Sequence, residues 1–157
     1  MSFNLMILVD DSDLRAKLNH IQNAIPEVKQ KLLHELGEYT FQKYREQVPV
    51  STPRPGREHV GMLRDSIVLQ RTPNSFSVYP TAYHATFPAY GTKPHVITSR
   101  SGRRLRFFWS KMGKWVYPRQ VFHPGQKRNP FHARVWNMMY MKMRELLSLS
   151  MRELLGV

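Results

Sequence analysis

The chain has 157 residues, a length typical of one domain, and it has no cysteine, which excludes disulfides and thiolate metal sites and fits assembly in a reducing cytoplasm. Its formal net charge of +13 indicates a polyanionic or acidic partner. The longest apolar run, at residues 5–9, is too short to span a bilayer, so we expect a soluble protein that does not contact a membrane.

The positive charge is concentrated in one part of the sequence. All 11 acidic residues lie outside residues 66–144, a stretch we call the basic window, whereas lysine and arginine recur throughout it. A surface of one sign repels copies of itself, so we expect it to face DNA or acidic patches on neighbouring subunits. A basic face that only keeps the protein in solution is the alternative. The candidate interface residues lie in the middle of the window: Arg100, Arg103, Arg104, Arg106, Lys111 and Lys114.

The N-terminal part predicts a strand and two helices. Residues 3–9 are apolar and β-compatible, and the acidic tetrad at residues 10–13 favours the start of a helix that carries Leu14 and Leu18. A divalent-cation site at the tetrad is the alternative. Pro26 fits the first turn of a second helix over residues 26–47, and Gly37 inside it predicts a close helix crossing or a bend.

A proline-rich segment follows the second predicted helix. Residues 49–60, here called the Pro-rich arm, cannot donate a continuous ladder of hydrogen bonds and should be exposed and semi-extended. Residues 67–71 and 76–79 flank a proline-led turn, which predicts a β-hairpin. Residues 83–90 predict a short helix made irregular by Pro88, with Gly91 closing it at positive φ and Thr92 bonding the freed backbone.

The basic window then predicts three short strands, over residues 95–99, 104–109 and 114–121. Alternation puts Leu105, Phe107 and Trp109 on one face, which we expect to be core, and arginines on the other. Aromatic residues among arginines also resemble the interleaving found in nucleic-acid binders.

The last element is a long helix. Asn129 is a capping residue and Pro130 fits the first helical position, so the helix is expected to start there and to run to about residue 155. Methionines at 138, 139, 141 and 143 spread around it, which predicts burial on more than one side, by its own sheet and by a neighbouring subunit.

No enzyme is predicted. The basic window has no carboxylate to hold a metal or move a proton, and its histidines match no compact ligand pattern, so we expect neither a metal nor a cofactor. Two alternatives from other functional classes stay open. One is a free nucleic-acid-binding protein, and the other is a small RNA-cleaving toxin that acts through His95 or His123.

Three ordered motifs bracket the basic strands and lead into the last helix: Tyr90-Gly91-Thr92-Lys93-Pro94-His95, Val121-Phe122-His123-Pro124-Gly125 and Asn129-Pro130-Phe131. A fourth, earlier motif is Gly61-Met62-Leu63-Arg64-Asp65-Ser66-Ile67. Together they resemble the signature of the head-tail joining, or neck, proteins of long-tailed bacteriophages, also described as tail-completion or minor tail components. Relative to that family, residues 51–59 look like an insertion, and Val60 stands where a threonine is common.

The elements predict one α+β domain over residues 1–157, in which a mixed or antiparallel β-sheet carries two long helices and basic β-hairpins project. The resemblance implies a virion protein, assembled in the host cytoplasm, whose copies form a ring, a hexamer in preference to a dodecamer. Genomic DNA passes through that ring, whose neighbours are other neck, portal-side or tail proteins. It further implies that the short helix presses Tyr90, Gly91 and Thr92 against the sheet.

Overall fold

The computed structural model describes residues 11–51, 53, 55–56 and 60–156. The strand predicted at residues 3–9 lies outside the described residues, as does part of the Pro-rich arm. Within the described residues, no helix combines the length and the apolar character that a membrane span requires.

Helix α1 spans Ser12–Gln47, so the prediction of two helices divided at Pro26 is wrong. Pro26 has no amide hydrogen to donate to the Gln22 carbonyl. Gln22 and Pro26 are both exposed, so water can hydrate that carbonyl. Residues 21–25 also contain no glycine. Asp11 is the N-cap residue, as the acidic tetrad predicts. Its carboxylate makes no capping hydrogen bond and instead pairs with Arg15 at 2.8 Å.

The predicted hairpin is confirmed and packs on α1. A short helix α2, Met62–Asp65, leads into strand β1, Ile67–Thr72, which pairs antiparallel with strand β2, Ser75–Pro80. A Cβ built on Gly37 would lie 3.5 Å from both Leu69 and Phe76 of this hairpin. The close neighbour of Gly37 is therefore the hairpin and not a second helix.

The short irregular helix is also confirmed. A 3-10 turn, Tyr83–Ala85, continues into helix α3, Thr86–Tyr90. The buried residues here are Ala85 and Ala89, whereas the Tyr90 side chain is 78% exposed. The expectation that Tyr90 is pressed against the sheet is wrong, because the small alanine face makes the contact with the core and the tyrosines point outward.

Four short strands, and not three, occupy the centre of the basic window: β3, His95–Thr98; β4, Phe107–Trp109; β5, Lys114–Val116; and β6, Gln120–His123. β3 pairs antiparallel with β6, and β4 pairs antiparallel with β5 between them. We call this unit, residues 95–123, the double hairpin. No residue from 90 to 130 is buried, so the predicted core face is wrong: alternation gives a period, but among the described residues no other layer buries these strands.

Helix α4 spans Phe131–Leu155 and ends where predicted. Pro130 is at the N-cap and not in the first turn. The Asn129 side chain does not cap the helix, because its Oδ1 accepts a hydrogen bond from Arg134 at 2.7 Å. Phe131 is fully buried at the start of the helix, with Val135 and Leu146 further along the same apolar face.

The core lies where α1, α4, the β1–β2 hairpin and α3 meet. It contains Tyr44, Val48, Leu63, Ile67, Ala85, Ala89, Phe131 and Val135. The predicted α+β class is confirmed, with both long helices and antiparallel strands. Within the described residues the strands form three two-stranded ribbons and not one continuous sheet.

Candidate functional site

The three motifs that bracket the basic strands meet at the base of the double hairpin. Thr92 and Gln126 exchange both of their backbone hydrogen bonds, at 2.9 and 3.0 Å. The Asn129 amide donates to the Pro88 carbonyl at 2.9 Å. The segments that enter and leave the double hairpin are therefore tied to each other and to the end of α3.

Two glycines allow these segments to cross. Gly91 has φ +79° and Gly125 has φ +86°. A Cβ on Gly91 would lie 2.5 Å from the Gln126 carbonyl oxygen, and a Cβ on Gly125 would lie 2.3 Å from the Thr92 carbonyl oxygen. Because the opposing atoms are backbone, neither can move aside, and both positions require glycine. We call this contact the glycine crossing.

The glycine crossing tests the predictions made for Gly91 and Thr92. Gly91 closes α3 at positive φ, as expected. The expectation that Thr92 bonds the freed helix backbone is wrong, because its amide donates to Gln126. His123 and Pro124 complete the turn, and the Gly125 amide donates to His123 Nδ1 at 3.1 Å.

The remaining motif residues hold the body of the protein together. Gly61 has φ +89° and starts α2, in which Leu63 is buried. Ser66 Oγ donates to the Leu63 carbonyl at 2.8 Å, and Arg64 is half-buried with its Nε 3.4 Å from an Asp65 carboxylate oxygen. Phe131 packs edge-on against Tyr44, with ring centroids 5.8 Å apart. These residues build the core and the junction, and they form no reactive cluster.

The double hairpin carries uncompensated positive charge. Arg100, Arg103, Lys111 and Lys114 are exposed, and none has a hydrogen bond or ion pair from its side chain within the described residues. The ion pairs of the described residues all lie outside residues 72–141: Arg15–Asp11, Lys43–Glu46, Arg45–Asp65, Arg64–Asp65, Arg71–Glu38 and Lys142–Glu145. Within the described residues, no acidic side chain therefore neutralises the double hairpin.

Two of the predicted interface arginines also support the double hairpin. Arg104 Nη1 donates to the Tyr117 carbonyl at 3.2 Å. The Arg106 guanidinium lies over the Trp115 ring, 4.7 Å from its centroid, in a cation–π contact. Arg104 and Arg106 are therefore poor choices for testing charge alone, whereas Arg100 and Arg103 are free of such contacts.

The double hairpin also exposes apolar side chains that sequence patterning did not single out. Val96 and Phe122 lie directly opposite each other in the β3–β6 pair, and both are more than half exposed. On the other side, a cavity of about 540 Å³ is lined by aromatic residues and by Pro55 and Gly56 of the Pro-rich arm. A Cβ on Gly56 would lie 2.5 Å from Trp115, so the arm contacts this unit directly.

The described histidines are not clustered in a way that could hold a metal ion. The rings of His95 and His123 stack with centroids 5.1 Å apart. His132 lies elsewhere, hydrogen-bonded to Tyr44, and burial lowers its pKa from the ordinary value and raises the pKa of Tyr44 to about 12. Within the described residues, no group of three or more histidine or carboxylate side chains is placed to hold a metal ion.

Comparison of the chain with protein-family models, with curated proteins and with solved structures finds no match. Its function must therefore be inferred from geometry and charge.

Proposed function

We propose that this protein joins the DNA-filled head to the tail of a long-tailed bacteriophage, as one subunit of a ring in the neck around the DNA channel. The observation that carries the proposal is the acid-free double hairpin, which is held at its base by the same motifs that resemble the neck family. A hexamer is the favoured ring and a dodecamer the alternative. No reaction is assigned to it.

The charge distribution suits a ring of copies that contact each other head to tail. Acidic residues of the described chain lie on α1, α2 and the C-terminal half of α4, whereas the double hairpin has none. Rings arise when one surface of a subunit meets a different surface of the next. A basic double hairpin can meet individual acidic side chains on these helices of a neighbouring subunit, although each helix carries at least as many cations as acids. It can also face the DNA that passes through the ring.

The first experiment interrupts this gene in its phage or prophage and examines the lysate by electron microscopy. Filled heads and finished tails lying apart are the expected result, because the joining step is the one removed. Intact virions would remove the neck proposal. Complementation with the wild-type gene should restore joined particles.

A charge-neutralising pair then tests the double hairpin within the same assay. Arg100→Gln with Arg103→Gln removes two exposed, unpaired arginines from the double hairpin, and Arg144→Gln with Arg152→Gln removes two exposed, unpaired arginines from α4. We expect the first pair to lower the infectious titre at least ten-fold and the second to leave it within two-fold. Equal titres for the two pairs would show that the charge of the double hairpin is not needed for joining.

A free nucleic-acid-binding protein is the second candidate, favoured by the exposed arginines beside the partly exposed Trp109 and Tyr117. It predicts that the isolated monomer binds DNA and that the affinity falls steeply with salt. Fluorescence anisotropy with labelled duplex DNA measures this directly. The Arg100→Gln/Arg103→Gln pair should reduce the slope of log affinity against log salt by about two, one per lost phosphate contact. Absence of DNA binding by the monomer removes this candidate and leaves the joining role intact.

A further inference from the structure

Within the described residues, most of the first half of α1 is exposed. α1 has 36 residues and is about 54 Å long, and its buried residues all lie in its second half: Leu36, Gly37, Thr40 and Tyr44. Residues 12–20 are all exposed, yet they include Leu14 and Leu18, which are 59% and 55% exposed. A long helix with exposed leucines in register is a candidate surface for another helix.

The apolar residues of this half follow a strict coiled-coil spacing. They stand four, three, four, three and four residues apart at Leu14, Leu18, Ile21, Ile25, Val28 and Leu32, and we call them the seam. A spacing that averages 3.5 residues keeps the apolar side chains facing one partner helix, as in the a and d positions of a heptad. Pro26 falls at a b position, on the side away from the seam.

The β1–β2 hairpin contacts α1 beside the lower end of the seam, at an e and an f position. Lys29 Nζ donates to Asn74 Oδ1 at 2.6 Å, and Gln30 donates to the Pro73 carbonyl at 2.7 Å, so the tip of the β1–β2 hairpin touches α1 there. Above that point Ile25 is 51% exposed. The upper seam has no apolar cover within the described part of the chain.

The residues flanking the seam are cationic. The e and g positions, which face the partner's flanks in a coiled coil, hold four cations and no acid: Arg15, Lys17, Gln22, Ala24, Lys29 and Lys31. An antiparallel second copy would bring Arg15 near Lys29 and Lys17 near Lys31, which repels. A parallel second copy would pair Lys17 with Gln22 and Lys29 with Ala24, and neither pair is attractive. A partner with acidic flanks attracts all four cations.

We propose that residues 14–32 of α1 are a docking site for a helix of a different polypeptide, one with apolar residues at a and d positions and with acidic residues at the flanking e and g positions. This inference does not depend on the joining role, because it uses neither the double hairpin nor the motifs at its base. A partner helix that buries the exposed leucines would also stabilise this half of α1.

Two synthetic peptides of four heptads test the proposal on the full chain. Both have isoleucine at a and leucine at d; one has glutamate at every e and g position, and the other has lysine there. The glutamate peptide should bind at least ten-fold more tightly in fluorescence anisotropy, and the difference should shrink in about 1 M salt, where charges are screened. Amide hydrogen exchange should slow within residues 12–32 when the glutamate peptide is added.

A matched pair of variants locates the contact. Leu18→Asn with Ile25→Asn changes seam residues that are 55% and 51% exposed, whereas Leu149→Asn with Met151→Asn changes α4 residues that are 51% and 53% exposed. The seam pair should weaken the glutamate peptide at least ten-fold, and the α4 pair less than two-fold. Equal binding of the two peptides, no binding of either, or equal effects of the two pairs would overturn the proposal. So would sedimentation of the chain alone as a dimer that the seam pair dissociates, because the occupant would then be a second copy.

Discussion

Replacing Gly125 with alanine should lower the free energy of unfolding by about 2–5 kcal/mol. The positive φ of +86° costs a residue with a Cβ about 1–2 kcal/mol. The added methyl group would lie 2.3 Å from the Thr92 carbonyl oxygen, and relieving such overpacking typically costs about 1–3 kcal/mol more. The substitution should destabilise the core as well as the double hairpin. The glycine crossing leads directly into α4, whose first residue, Phe131, is fully buried.

Gly102→Ala is the matched control for this change. Gly102 also has positive φ, at +69°, but a Cβ there would meet no atom within 4 Å. It should therefore show only the conformational cost of about 1–2 kcal/mol. Urea unfolding followed by circular dichroism measures both variants. If Gly125→Ala and Gly102→Ala unfold with the same free energy, the glycine crossing is not the tight backbone contact described above.

Three further changes test the body of the protein. Gly37→Ala should raise the melting temperature by about 2–4 °C, because helix propensity improves by about 1 kcal/mol. The new Cβ would lie at an ordinary contact distance of 3.5 Å from Leu69 and Phe76. A lower melting temperature would show that the hairpin cannot accommodate the added methyl group. Phe131→Ala should lower the free energy of unfolding by about 3–5 kcal/mol in urea, since the side chain is 0% exposed, and a loss below 1 kcal/mol would argue against this core. Because burial lowers the pKa of His132, the unfolded chain binds its proton more readily, so stability should fall as pH drops below about 6.5. His132→Asn should reduce that slope in urea unfolding, and an unchanged slope would contradict the assignment.

The sequence predicted those helices and turns that depend on residues close together in the chain. The apolar stripe ending near residue 155 gave α4, and the proline-led turn gave the β1–β2 hairpin. The break at Pro26 was wrong because a proline inside an exposed helix costs about 3 kcal/mol but does not have to end the helix when water can hydrate the freed carbonyl. That error also divided the seam, which becomes visible only when residues 14–32 are one helix.

Contacts between distant residues could not be predicted in the same way. Gly91 and Gly125 each read as turn glycines, and nothing in their local sequence shows that each faces the backbone of the other segment. The alternating apolar residues of the double hairpin gave a period of two, but burial depends on whether another layer covers the strands. Among the described residues no layer covers Trp109, which is 45% exposed although its position fits a core face.

The basic window contains both ion-paired and unpaired cations. Arg71 and Lys142 lie on the body and pair with Glu38 and Glu145. Beyond the crossing, residues 93–128 contain no acid, and their cations have no ion pair within the described residues. Unpaired surface cations add little to the stability of the monomer and repel one another.

Arg100 and Arg103 have no side-chain hydrogen bond or ion pair within the described residues, so their effects on function and on stability can be measured separately. Neutralising both with glutamine should leave the free energy of unfolding within about 0.5 kcal/mol of wild type, as is usual for exposed residues without partners. The same pair should impair joining or DNA binding in the assays described above. A loss of more than 1 kcal/mol in urea unfolding would instead mean that these arginines hold the double hairpin together, and the joining assay would then report instability and not a lost interface.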